Sequence, residues 1–384
     1  MWISVTVGVK TSVSGAAPRS VEVVGGGIVG LGAAALLARN GWSVRVHERY
    51  PASVEVGAAI GIKPGAASVL RILGILERVS PTVVLTVEER RDQNGRVLQS
   101  RKLPPGSRFY NPLRQDLIDA LRDAALAAGA EVCFGSAAVA ASPAGVVYLD
   151  DGTERTAELV VAADGFGSRL RPSLGLERVA RLLPCGTARV LMPREGEEAV
   201  RLEHWSGKLR IGVAPTSDAL TYVYLNSPNA DTAASRVPID ADYWSSRFPA
   251  VGQRFFERVH AAGGVRHEYP IVYCSAWTSG HVALVGDAAH ALPSTLGIGG
   301  SIGLVNAYHL AERVAARADV VSALRAWDAG RRPATVRTQR SARVYDVVTR
   351  FCPPSLEPLR NTVIRTLDIP WVNSRMLGLK AIEI

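Results

Sequence analysis

Three glycines, Gly25, Gly27 and Gly30, stand in a Gly-x-Gly-x-x-Gly spacing, and Glu48 follows 18 residues after the last of them. The first glycine allows a tight turn and the second lets the backbone approach a pyrophosphate. The third lets a helix pack closely on the preceding strand. The free N–H groups of that helix's first turn would then face the anion. A carboxylate at Glu48, with Arg49 beside it, sits where ribose hydroxyls should arrive. This is dinucleotide chemistry. The loop alone leaves NAD and FAD both open, and a Gly-rich packing turn is its bland alternative.

A second constellation lies some 240 residues further on. It reads Gly286-Asp287-Ala288-Ala289-His290, then Pro293, then Gly297-Ile298-Gly299-Gly300. An aspartate directly after a strand can hold a ribityl hydroxyl. A Gly-rich helix start can point backbone N–H groups at the negative end of a flavin ring. A third piece, Ala163-Asp164-Gly165, ends an apolar strand, with Arg169 and Arg171 close behind. By itself an Asp-Gly pair is a turn.

The elements needed to position these residues are legible. Val21 to Val24 is a β-type run, Leu31 to Arg39 an Ala/Leu-rich helix closed by Asn40-Gly41, and Ser43 to Glu48 a second strand. Helices are expected from Pro64 to Leu76, Arg114 to Ala128, Ser301 to Ala316 and Val320 to Val344. Val83 to Leu103 alternates around Asn94-Gly95, a hairpin signal. Glu131 to Cys133, Val146 to Leu149, Leu159 to Ala162 and Val282 to Val285 read as strands. Thr187 to Tyr273 changes character, with short strand-like pieces and Pro-bearing loops. The expected architecture is α/β with an α+β insert: a Rossmann-like FAD-binding domain, an inserted antiparallel β-sheet substrate domain and C-terminal helices. The expected boundaries are a loose extension over 1–19, the FAD-binding domain over 20–186 and 274–342, the substrate sheet over 187–273, and a helical tail over 343–384.

Composition narrows the function. The chain has 384 residues, 47% of them hydrophobic, enough for two joined domains with a sizeable core. The net charge of +9 comes from scattered arginines rather than a basic stripe with interleaved aromatics, so nucleic acid is not an expected partner. Such a field can also draw in anionic ligands. None of Cys133, Cys185, Cys274 and Cys352 forms a Cys-x-x-Cys pair, which argues against a zinc knuckle or a redox dithiol and leaves no metal expected. No apolar run approaches a membrane span, and Met1 to Arg19 lacks the features of a signal peptide. The expectation is a cytoplasmic monomer or homodimer.

The three motifs, in this order and spacing, resemble the class A flavin monooxygenases, the p-hydroxybenzoate hydroxylase-like family, from about Val21 to Ala342. Arg114 in Arg114-Gln115-Asp116-Leu117 matches that family's flavin-contacting arginine. Local stretches, among them Asn40-Gly41-Trp42, Val237-Pro238-Ile239-Asp240 and Val305-Asn306-Ala307, are similar to the 2-methyl-3-hydroxypyridine-5-carboxylate oxygenase subgroup. Ile298 stands where the family usually has Gln, and Asn306 where it has an acid. Across Val83 to Arg101 there is no match for that subgroup's substrate-contacting tyrosine. The resemblance implies FAD as cofactor, NADPH or NADH as co-substrate, O2, and a flavin C4a-hydroperoxide that hydroxylates an aromatic or N-heteroaromatic small molecule.

The subgroup presents an arginine and a tyrosine from its inserted sheet, and Arg210 and Tyr222 occupy the matching positions. The fork of Arg210 suits a carboxylate or phenolate of an anionic substrate. Tyr222 and Tyr224 share side-chain parity and should face one side of their strand. His204 has a near-neutral pKa suited to accepting a phenolic proton, although an ordinary sheet histidine is the commoner case. Two alternatives remain: another FAD oxidoreductase on this scaffold, such as a reductase or oxidase, and a non-redox FAD-fold binding protein. The halogenase Trp-x-Trp-x-Ile-Pro signature is absent, and the intact Asp287 loop argues against the binding protein.

Overall fold

A computed structural model describes residues 19–52, 58–104, 107–350 and 356–366. Most of the proposed N-terminal extension, Cys352, and the tail beyond 366 lie outside the described residues. The first strand, Ser20–Val24, is buried along nearly its whole length, as expected of a central parallel strand covered on both faces. It lies in a six-stranded sheet ordered Thr278–Ser279, Val282–Leu284, Leu159–Ala162, Ser20–Val24, Ser43–Glu48, Glu131–Phe134. All neighbouring pairs are parallel except the first, which is antiparallel.

The helix Ile28–Arg39 is buried from Ile28 to Ala38 apart from Val29. It packs on the helices Arg114–Ala127 and Gly299–Ala315. A Cβ on Gly32 would lie 2.5 Å from the Leu304 side chain, so glycine sets how closely these helices approach. A three-stranded meander, Ala138–Ser142, Val146–Leu149 and Glu154–Thr156, flanks the sheet.

The second large sheet has seven strands, ordered Val265–Cys274, Glu177–Pro193, Leu220–Pro228, Leu209–Pro215, Arg201–Ser206, Val87–Asp92, Val97–Lys102. The sheet reaches beyond 187–273 in sequence. It recruits the hairpin that turns at Asn94-Gly95, and one pairing, Arg201–Ser206 with Val87–Asp92, is parallel. Side chains alternate between its faces. Ala188, Val190, Met192, Ile211, Val213, Val223 and Leu225 fill one face, packed under Trp244, Phe248 and Phe256. These aromatics come from the helices Ala241–Arg247 and Gln253–Ala262.

The opposite face carries Arg189, Arg201, Glu203, Arg210, Tyr222, Tyr224 and Asn226, and part of it faces the loop after Asp287. The 31-residue helix Val320–Arg350 packs against the helix Gly299–Ala315 and reaches the seven-stranded sheet. Its Gln339 Nε2 donates to Val272 O at 2.8 Å and to Ala291 O at 3.1 Å. Its Tyr345 reaches the polar sheet face beside Arg210 and Trp205. The expected helix ending at Val344 is therefore longer than its apolar pattern, and the last described helix is Glu357–Thr366.

Candidate active site

The first strand ends at Val24, and the chain turns sharply at Gly25 with φ +106°. A Cβ on Gly25 would meet Ala163 O at 2.4 Å, and one on Gly30 would meet Gly25 O at 1.9 Å. Both glycines are therefore required by packing. Gly27 meets nothing within 4 Å, so its backbone lies open to an arriving group. A cavity of about 300 Å³ opens here, bordered by Gly25, Gly27, Glu48, Arg49, Asp164 and Gly165. Glu48 Oε2 accepts the Gly26 N–H at 2.6 Å, and its Oε1 accepts from Tyr50 N at 3.0 Å. Asp164 Oδ2 accepts from Arg169 N at 2.9 Å, and Arg49 Nη2 donates to Asp164 O at 3.3 Å. The buried Asp164 Oδ1 has no partner. Burial raises the Asp164 pKa against the hydrogen bonds it receives.

A second cavity of about 580 Å³ lies between the polar sheet face and the loop after Asp287. Arg114, Asp287, Gly297, Gly299 and Gly300 border it on the nucleotide side, with Tyr222 and Tyr224 opposite. Pro293 precedes a short 3₁₀ turn, Ser294–Leu296, that ends at Gly297 in the left-handed region, φ +59°. Asp287 is exposed where it borders this cavity. The surrounding protein raises its pKa, while Arg114 and Arg189 oppose the rise. An open backbone at Gly27, an unpartnered acceptor at Asp164 and a cavity-facing Asp287 fit an elongated dinucleotide that carries a flavin.

His290, in the same motif, lies away from both cavities. It is fully buried against Trp277, ring centroids 4.9 Å apart, with Nε2 paired to Asn306 Nδ2 at 3.1 Å. Burial pushes it down to about 4, so it is a neutral packing residue. Asn306 also receives Arg331 Nε at 3.1 Å and ties the loop to the long helix.

Of Arg210, Tyr222 and His204, only Tyr222 borders the cavity. Arg210 shares its face but lies deeper, 5% exposed, with its guanidinium 5.3 Å from the Trp205 ring and 5.9 Å from the Tyr345 ring. Its Nη1 has no hydrogen-bond partner. His204 is directly opposite Ile211 and so faces the apolar helices, with Nδ1 3.3 Å from Asp92 O. Burial lowers its pKa. The structure does not bring His204 to the substrate side.

The residues that do line the cavity include Arg189, Arg201, Arg266 and Tyr224. Arg201 belongs to a charged cluster with Glu88, Arg90, Arg101 and Lys63. Burial alone would raise Glu88, but Arg201, Arg90 and Lys63 outweigh it and hold it at about 2. Burial, then Arg201, pushes Lys63 down to about 7. Cross-strand pairing, rather than any local motif, assembles this cluster. The one sequence signal is the odd-numbered run Arg201, Glu203, Trp205. Among the described residues no group of His, Cys, Asp and Glu could hold a metal, and no helix is long and apolar enough to cross a membrane.

Fold, glycine loop and flavin-side cavity together define a class A FAD-dependent aromatic monooxygenase. The chain belongs to the FAD binding domain family, whose pattern matches residues 19–342. It is 35% identical over 377 residues to a probable 2-heptyl-3-hydroxy-4(1H)-quinolone synthase, AqdB2, of Rhodococcus erythropolis, covering 95% of this chain and 96% of that one. It is 36% identical over 334 residues to the 2-heptyl-3-hydroxy-4(1H)-quinolone synthase of Mycobacteroides abscessus, covering 84% and 88%. The solved tetrameric form of 2-methyl-3-hydroxypyridine-5-carboxylic acid oxygenase superposes with a TM-score of 0.80 at 31% identity, covering 90% and 95%.

Proposed function

We propose that this protein is a single-component monooxygenase that uses NAD(P)H and O2 to hydroxylate a 2-alkyl-4(1H)-quinolone on its heterocyclic ring. The observation that carries this reading is the composition of the second cavity. Tyr222, Tyr224 and Phe166 supply aromatic surface for a flat ring, and Leu182, Leu292 and Ile298 supply an apolar wall for an alkyl chain. The quinolone-ring chemistry in the names of two similar proteins supports the same class.

Bound FAD supplies electron transfer from the nicotinamide and activation of O2. The residues of this chain bind, orient and exclude water. Gly25, Gly27, Glu48 and Arg49 would hold the adenosine and pyrophosphate, with Asp164 and Gly165 beyond. Asp287 and Arg114 would hold the ribityl and ring. The N–H groups of Gly297, Gly299 and Gly300, following Pro293, would stabilise negative charge on the reduced ring. Tyr222 is the substrate-facing residue. Arg210 instead acts from beneath, as a buried charge that shapes the cavity floor.

The test is to purify the protein with its flavin and follow NADH and NADPH oxidation against 2-heptyl-4(1H)-quinolone, a hydroxypyridine carboxylate and a hydroxybenzoate. The reading predicts stimulated oxidation, and a product one oxygen heavier, with the quinolone. Turnover of the aromatic acids alone would instead assign the arginines Arg189, Arg201 and Arg266 to a substrate carboxylate.

A further inference from the structure

Three neighbouring strands place Tyr224, Gly212 and Glu203 in one row across the polar sheet face. Gly212 has no side chain, and the Tyr224 ring occupies the space one would fill. A Cβ there would stand 1.9 Å from Tyr224 Cζ and 2.4 Å from its oxygen. The ring therefore lies flat across the middle strand. Its hydroxyl donates to Glu203 Oε1 at 3.1 Å.

Glu203 does not line the cavity, whereas Tyr224 does. The other carboxylate oxygen, Oε2, accepts from Trp205 Nε1 at 2.8 Å and lies 3.6 Å from Arg90 Nε. Oε1 is thus left to the tyrosine. With its proton donated to Glu203, the Tyr224 oxygen keeps lone pairs with which to accept from a ligand. Burial, reinforced by Glu203, raises the Tyr224 pKa well above its ordinary value, so the phenol stays protonated. The carboxylates that do border the cavity, among the described residues, are placed otherwise. Glu268 is drawn outward by Asn229, and Asp287 lies on the flavin side. His267 Nδ1 is paired with Arg189.

We propose that Tyr224 and Glu203 form a proton-accepting pair for a substrate whose ring N–H or O–H is conjugated with the carbon to be oxygenated. This rests on the monooxygenase reading above. The N–H bond breaks and its electron pair enters the ring. The ring carbon forms a C–O bond with an oxygen atom derived from O2, and the O–O bond breaks. The substrate proton passes to Tyr224 Oη while the tyrosine's own proton passes to Glu203 Oε1. Reduced flavin supplies the two electrons, and the second oxygen atom leaves as water, into which the stored proton is returned; the C–H bond at the oxygenated carbon then breaks and its proton restores the ring N–H or O–H.

The experiment compares wild type with Tyr224→Phe, Glu203→Gln and Gly212→Ala, using 2-heptyl-4(1H)-quinolone and its N-methyl analogue. Gly212→Ala displaces the tyrosine ring without altering either member of the pair. His204→Gln, on the opposite face, is the control. Product per NAD(P)H consumed, KM and the solvent deuterium isotope effect are measured. With the N–H substrate, each of the three variants should lower product formation about 10²-fold, with the oxygen released as hydrogen peroxide and KM little changed. With the N-methyl analogue, wild type should already be slow and the variants no slower, because the same step is removed twice. Wild-type yield in the Tyr224 and Glu203 variants, or a rise in KM alone, would overturn the pair. If wild type oxygenates no such ring, the monooxygenase reading fails in its own measurement and the pair falls with it.

Discussion

The two cavities are built by opposite means. The first is made of backbone: a turn, three glycines and a helix start, with Glu48 and Asp164 bonded to main-chain N–H groups. The sheet-side wall of the second is made of side chains that meet only because seven strands pair in one register, opposite the glycine backbone of Gly297, Gly299 and Gly300. Backbone sites tolerate little change at fixed positions. Side-chain sites on a sheet face can be rewritten while the apolar face beneath holds the scaffold.

Substitutions can break or sharpen that contrast. The largest effect belongs to the scaffold: Trp244→Ala empties the apolar face and should cost about 3–5 kcal/mol, read as a lower Tm. The protein that remains folded should keep its flavin spectrum. Asp287→Ala removes a cavity-facing carboxylate and should weaken FAD by about 1.5–3 kcal/mol, on the order of 10- to 100-fold in Kd by fluorescence titration. Gly30→Ala forces a Cβ onto Gly25 O and should cost about 1–3 kcal/mol. Here the purified protein should be colourless, since the loop itself moves.

His290 gives the smallest effect at neutral pH and a distinct one in acid. Its folded pKa of about 4 lies below the ordinary 6.5, so the folded state favours the neutral ring. That stability is complete above pH 6.5 and is lost as pH falls from there toward 4. The Tm should drop across this window, and His290→Gln should flatten the slope. An unchanged slope would mean His290 is not the titrating group.

The first cavity was legible in sequence because close backbone approach leaves a local signature. Gly25, Gly27, Gly30 and Glu48 lie within one strand–loop–helix–strand unit. The second was legible only in part. Parity put Tyr222 and Tyr224 on one face, and the structure agrees, but parity carries no depth. Arg210 shares that face and is sealed beneath Tyr345, a residue of a helix more than 130 positions away in sequence. His204 pairs with Ile211, and that register fixes it on the apolar side. Arg189, Arg201 and Arg266 come from three strands separated in sequence, so no local spacing could join them. The row Tyr224–Gly212–Glu203 was hidden for the same reason.

The most direct test of the account is turnover of 2-heptyl-4(1H)-quinolone by the FAD-loaded protein with NAD(P)H under heavy-isotope O2. The account predicts one labelled oxygen in the ring hydroxyl of the product and none when the label is in water. Nicotinamide oxidation that yields only hydrogen peroxide with every ring offered, or label arriving from water, would contradict it.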